Sequence, residues 1–395
     1  MFNGFAKLMS NSVPSFWLMF YLLKGSRLLR EQMHRIKGVD QEMSGKFDFL
    51  LKYASFLSAG REINQEIIFD NLQKNKAYAT DTRFVVLTMD FDFMGAGKAR
   101  CNYMTQLAQV VKLKKKYPDK LLPFIAIDPR RGTADQLLDL VRKHVEDLGF
   151  IGIKMYPALG FYPYDPRLIK VYDYAQDIQL PVMTHCTKSG VFFKGQLTRE
   201  HLRPLNMNSN PCKKDYVTER KNAIFKNNFS HPDNYKDVLD LFPDLKLCIA
   251  HYGGSSQMLK ARGNDGDMKN WYNIIRYLVE GKHQSQFYNT VINAEEPELR
   301  REFAKVCGNV FTDVSYSLAE KKVFDLMKQN FDHPVVGKKI LFGTDYYMTV
   351  IEKPEEKLVY DFYKAFREVS FRGMALSEML DENAVRYLNS KVYKA

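Results

Sequence analysis

Three short strings put chemistry-capable side chains at the ends of apolar runs: THC ending at Cys186, AHYGG ending at Gly254 and FGTD ending at Asp345. They carry His185, His251 and Asp345. A neutral imidazole can ligate a metal or move a proton. A carboxylate beside an ion can ligate it and accept a proton from its water. A lone histidine there also suits a core residue with its hydrogen bonds met. Gly253 and Gly254 after His251 let backbone approach a ligand closely. Asp345 could instead cap a helix. Tyr346, Tyr347 and Pro354 follow it, so no helix is expected to start at once.

Other candidates surround these three. Lys154 lies inside the apolar run FIGIKMYP, where a lysine is rare unless it is paired or functional. It could hold a substrate carboxylate, polarise a carbonyl, be carboxylated to bridge two metals, or snorkel to the rim. Tyr156 follows at the same run's end. Arg130, in AIDPRRG, could clamp a carboxylate with two parallel hydrogen bonds or sit in a surface salt bridge, and Arg131 offers the same. Asp90 and Asp92 end an earlier run, before a loop with Gly95 and Gly97. No GxxxxGK[ST], GxGxxG or GxSxG string is present.

The elements that must hold these residues are legible as apolar runs. Residues 83–91, 121–129, 150–157, 180–186, 245–253, 309–315 and 339–345 read as strands. They are mostly continuous rather than alternating, as expected of strands buried on both faces. Helical patterns lie between them at 63–78, 100–117, 135–148, 167–176, 298–306, 319–330 and 356–367. Alternating strands and helices imply a parallel sheet, and in a parallel barrel the strand C-termini share one rim. A closed (β/α)8 barrel needs one strand more than these seven. Residues 1–60 read instead as a helical segment packing on the barrel domain, which spans 61–395. Residues 187–244 and 254–308 are long connections that follow strand ends, so they belong over the rim as lids, specificity elements or subunit contacts.

Composition narrows the class. The 45% apolar content with 28 Phe and 23 Tyr supports a large core. The five cysteines are scattered with no CxxC pair, which reads as reduced thiols in a cytoplasmic protein. The net charge of +12 comes with no nucleic-acid motif, so a solvated lysine-rich surface is favoured over a nucleic-acid partner. Val13–Leu23 is apolar but too short to span a bilayer and contains a proline, so no membrane partner is expected. A homo-oligomer is compatible with the long connections.

GFIGIKMYP, LPVMTHC, CIAHYGG and ILFGTD, with ENAVRYL at 382–388, resemble the amidohydrolase superfamily, specifically its amidohydrolase-2-type TIM-barrel metal-dependent hydrolases. The likeness runs over roughly residues 80–390. It implies a (β/α)8 barrel with one or two divalent ions, most often zinc. It implies metal binding by His185 and Asp345, His251 as ligand or general base, and Lys154 in a role that varies between subgroups, so Asp345, His251 and Lys154 are the expected catalytic residues and His185, His251 and Asp345 the expected metal ligands. Read from their own positions, Arg130 and Tyr156 are expected on the substrate. The resemblance implies hydrolysis of an amide, ester or lactone of a small acidic molecule. Its alternatives are non-oxidative decarboxylation and a catalytically incomplete barrel that binds. One element departs from the family: H-x-H on the first strand is absent, and the only histidine before residue 144 is His34. Met1-Phe2-Asn3 looks like the residues just after that dyad, so the first strand is expected immediately before residue 1.

Overall fold

A computed structural model describes residues 64–99, 101–212, 214, 217–283, 309–367, 369–371 and 373–395. The chain divides into two compact units. One comprises Met1–Ile63 with Tyr346–Glu355. Of it, only the Tyr346–Glu355 stretch is described, and it holds a 3-10 turn at Met348–Ile351. The expected helical segment at 1–60 and the helix at 298–306 lie outside the described residues.

The other unit, Asn64–Asp345 with Glu356–Ala395, carries the sheet. Helix α1 (Gln65–Gln73) leads to β1 (Phe84–Leu87), α2 (Tyr103–Lys116), β2 (Leu121–Ala126), α3 (Ala134–Arg142), β3 (Gly152–Met155), α4 (Ile169–Asp177) and β4 (Val182–Thr184). Then come α5 (Asn222–Ser230), α6 (Asn234–Leu241), β5 (Leu247–Ile249), α7 (Ser255–Ala261), α8 (Trp271–Val279) and β6 (Val310–Asp313). Helix α9 (Phe324–Asp332), β7 (Ile340–Leu341), α10 (Glu355–Phe366) and α11 (Leu376–Leu388) complete the series, with a small hairpin at 370–375. The seven strands are all parallel and pair in sequence order, β1 to β7. This is a curled, incomplete (β/α)8 barrel. No eighth barrel strand occurs among the described residues.

Local chemistry sets these elements. Asn102 caps α2, accepting the Thr105 N–H, and Lys114–Lys116 close it where cations suit the helix dipole. Thr133 and Gln136 form a capping box that starts α3. The connection at 187–244, read from its polarity as a long loop, ends in two helices. Their inner faces bury Phe225, Phe229, Tyr235 and Val238.

Two apolar layers flank the strands. The larger lies between sheet and helices. The smaller lines the concave side with Leu122, Phe124, Cys248, Phe311 and Leu341. Tyr387 and Leu388 of α11 plug it. Gly152 has no side chain because Phe124 takes the space: an added Cβ would lie 2.5 Å from that ring.

Candidate active site

Register decides which residues face the concave side. Lys154 aligns with Ala126 and Met183, Met183 with Cys248, and Cys248 with Phe311. Residues in lateral register share a face, and two residues further along a strand the same face recurs. Lys154 therefore leads to Tyr156, Met183 to His185 and Phe311 to Asp313. Three of the expected site residues thus lie on one side near the strand ends, with Asp313 beside them.

His251 reaches the same place by another route. Strand β5 stops at Ile249, and His251 and Tyr252 take left-handed backbone at φ 67° and 52°. Tyr316 after β6 and Asp345 after β7 are also left-handed, at φ 59° and 60°. Each such non-glycine residue costs of order 1–3 kcal/mol, and such costs gather at functional sites. The turn brings His251 Nε2 to 3.1 Å from His185 Nδ1. Tyr156 stacks on the His185 ring, with ring centroids 4.0 Å apart.

Asp313 anchors this arrangement. Its Oδ1 accepts the His251 backbone N–H at 3.0 Å, the Ser315 N–H at 3.0 Å and the Ser315 hydroxyl. Because Ser315 Oγ gives its proton to Asp313, it accepts from His251 Nδ1 at 2.8 Å. His251 is therefore protonated on its outer nitrogen, and its Nε2 lone pair faces His185 Nδ1. The Nδ1 proton of a neutral His185 or a bound cation meets that lone pair. His185 Nε2 lies 3.4 Å from the Ser189 carbonyl. An extra proton is disfavoured: burial, then His251 and Lys154, hold His185 well below the usual imidazole range.

Lys154 is 3% exposed. Among the described residues its ammonium makes no hydrogen bond or ion pair. Burial pushes its pKa down, against the opposing pull of Asp345 and Asp313. Tyr156 is pushed well up, first by burial and then by Asp345. The Asp345 carboxylate is half-buried and makes no hydrogen bond among the described residues.

The structure thus joins His185, His251, Lys154 and Tyr156, with Asp345 near enough to be felt at Lys154. It does not complete a three-ligand metal group. Among the described residues no three His, Cys, Asp or Glu side chains gather to hold an ion. Arg130 also departs from expectation. It gives Nε–H and Nη2–H to Asp128 at 2.9 and 2.6 Å, and it donates to the carbonyls of Phe93 and Leu159 at 3.1 and 2.9 Å. One of its five N–H groups is left, too few for a two-pronged grip on a substrate carboxylate. Asp313 and Ser315 were passed over in the sequence. Their signal was the TD closing VFTD, a carboxylate ending an apolar run as in FGTD.

With this geometry in view, comparison with known proteins adds the following. Residues 74–282 match the protein family described as amidohydrolase. No curated protein matches the chain. A TIM-barrel protein from Bordetella bronchiseptica is similar in structure at TM-score 0.46, with 18% identity over 82% of each chain. A putative amidohydrolase from Staphylococcus aureus gives TM-score 0.48 and 14% identity over 83% of this chain and 92% of that one. The 5-carboxyvanillate decarboxylase from Novosphingobium aromaticivorans, solved with manganese and a nitrobenzoic acid, gives 0.46 and 12% over 94% and 92%.

Proposed function

The chain belongs to the amidohydrolase family, and from that premise we propose that it is a metal-dependent hydrolase of an amide, ester or lactone in a small acidic molecule. The observation that carries this reading is the pair of buried imidazole nitrogens facing each other at 3.1 Å, with His251 oriented by its outer hydrogen bond. Outer partners of that kind are how proteins fix ligating histidines. His185 and His251 would hold the ion, with Asp345 as the carboxylate on the same rim. Imidazole and carboxylate donors suit zinc and manganese alike; zinc is our first choice. A bound divalent ion supplies Lewis acidity at this rim.

The chain's own residues supply the rest. Asp345 accepts a proton from the attacking water at its free carboxylate. Lys154, a buried cation with no partner among the described residues, donates to the substrate's carbonyl oxygen or carboxylate. Asp313 and Ser315 keep His251 in its Nδ1–H form. Tyr156 covers His185 and excludes water from one side. Loss of CO2 from an aromatic or unsaturated acid is the second reading, favoured by the same unpaired Lys154, which suits a carboxylate substrate. The free state of Cys101, Cys186, Cys212 and Cys248 suits a cytoplasmic setting. Among the described residues no helix is long and apolar enough to cross a membrane.

The test is metal titration of chelator-stripped protein, followed by a substrate panel. Zinc or manganese should bind, and His185→Ala should weaken binding by about 100-fold or more, beyond the usual cost of losing an outer partner. Equal affinity in wild type and variant would remove the assignment. Acid release from esters, amides and lactones, set against CO2 release from aromatic acids, separates the two readings.

A further inference from the structure

The connection after β4 folds directly over His185, as a strap through residues 187–195. At Gly190, φ +91°, an added Cβ would lie 2.8 Å from Tyr156 Oη and 3.3 Å from His185 Cε1. Backbone there rests against the two stacked rings, which leaves no room for a side chain. The Ser189 carbonyl faces His185 Nε2 at 3.4 Å. A shift of the strap therefore reaches the imidazole directly. Two backbone bonds hold the strap in place. The Phe193 N–H donates to the Ala158 carbonyl, and the Lys194 N–H to that of Met94, each at 2.8 Å.

Arg130 stands behind both bonds. Its Nη2 donates to Asp128 Oδ2 and to the Leu159 carbonyl, at 2.6 and 2.9 Å. Its Nη1 donates to the Phe93 carbonyl at 3.1 Å. Leu159 and Phe93 are the chain neighbours of Ala158 and Met94, the two residues that hold the strap. One guanidinium thus fixes both anchor points. It also touches the strap itself: its Cζ is 5.7 Å from the centre of the Phe193 ring and 5.4 Å from that of Phe93. Phe193 is buried, with the His201 ring against it at 4.9 Å between centroids. At Gly160, φ +115°, an added Cβ would lie 2.7 Å from Phe193 and 2.9 Å from Arg130 Nη1, so bare backbone closes the corner between them. A planar fork of five donors can tie several chain segments and stack on rings at once, which an ammonium cannot do.

We infer that Arg130 is a positioning residue for His185, acting without touching the substrate. Through Phe93, Leu159 and Phe193 it locks the strap, and the strap holds the Tyr156 and His185 rings at the strand ends. Asp128 keeps the guanidinium aimed at both loops and neutralises it within the chain. This inference rests on the reading of His185 as a metal ligand.

The test uses Arg130→Lys in the full chain, which keeps a cation beside Asp128 and removes the fork. Hydrogen exchange in the segment 188–195 should quicken by about 10-fold or more, with exchange in α3 and α4 unchanged. Zinc titrated into the chelator-stripped protein should bind about 10-fold more weakly than in wild type, at a nearly unchanged melting temperature. Unchanged exchange would overturn the lock. Faster exchange with full zinc affinity would overturn the positioning of His185. Should Arg130→Lys fail a thermal-melt check, Phe193→Leu, a smaller apolar side chain on the strap itself, carries the test. Zinc affinity reduced about 3-fold or more then supports the inference, and undiminished affinity overturns it. Failure of the metal-site reading would appear separately, as no zinc bound by wild type with the strap still released in Arg130→Lys.

Discussion

Two clusters of charge lie beyond the strand ends of one sheet, and they are built on opposite terms. After β1 and β2, Arg130 and Arg131 face Asp90, Asp92 and Asp128, in ion pairs of 2.6 to 2.8 Å. Phe93 and Tyr103 stack on Arg131 and complete its surroundings. Each charge there is answered within the chain. After β3 to β7, Lys154 and Asp345 have no direct partner among the described residues, and two buried imidazole nitrogens face each other at 3.1 Å. Both clusters are rich in the residue types that do chemistry. What separates them is saturation. A saturated cluster positions loops, and an unsaturated one waits for a ligand to finish it.

The sharpest way to break this comparison is at Asp345. Asn keeps the shape and tolerates left-handed backbone, so Asp345→Asn should fold. Loss of a proton acceptor should lower kcat by about 100- to 10,000-fold, read on whichever panel substrate turns over. Near-normal turnover would place the base elsewhere.

The next effect is opposite in sign on the two sides. Arg131→Met strands Asp90 without its cation and should cost about 3 to 5 kcal/mol in urea unfolding. Lys154→Met removes a buried charge that has no partner among the described residues and should stabilise by about 1 to 4 kcal/mol while activity falls. If both destabilised alike, Lys154 would be a structural residue like Arg131.

His231, outside both clusters, sets a baseline for acid. Burial pushes it down to about 4 from an ordinary 6.5. The unfolded chain therefore takes up the proton first as pH falls. This contribution to stability is complete above pH 6.5 and lost between 6.5 and 4, by about 3 kcal/mol at most. Its Nδ1 accepts the Asp233 N–H at 3.2 Å, a role Asn can fill. His231→Asn should show a flatter stability profile over that window; an identical slope would place the acid-sensitive group elsewhere. The smallest effect is expected from Ser315→Ala. Unlocking the His251 tautomer should weaken metal binding about 10-fold, with little change in unfolding midpoint.

The strands were the most legible part of the sequence. Each of the seven apolar runs contains one, because a strand buried on both faces has no polar residue to interrupt it. The runs overshoot at their C-terminal ends for a physical reason. LKLCIAHYG looks continuous, but His251 and Tyr252 leave extended geometry after Ile249, and KILFGTD ends as strand at Leu341. Apolar character does not report backbone handedness. The histidines and Lys154 were legible as types out of place. For Arg130 the sequence left a carboxylate clamp and a salt bridge open, because it does not show that Asp128, two residues before it, neutralises it locally.

The strictly sequential strand order has a consequence for synthesis. Each strand can join its predecessor as soon as it leaves the ribosome, so pairing never waits for distant chain. The concave layer is different. Phe124 emerges early, yet the residues that cover it, Tyr387 and Leu388, with Tyr393 and Ala395 packed beside them, follow far along the chain. For most of translation the nascent sheet carries an uncovered apolar hollow. That interval, rather than the finished protein, is where chaperone demand and misassembly should concentrate. A stall or stop codon just short of residue 387 would leave all seven strands made and the hollow still open.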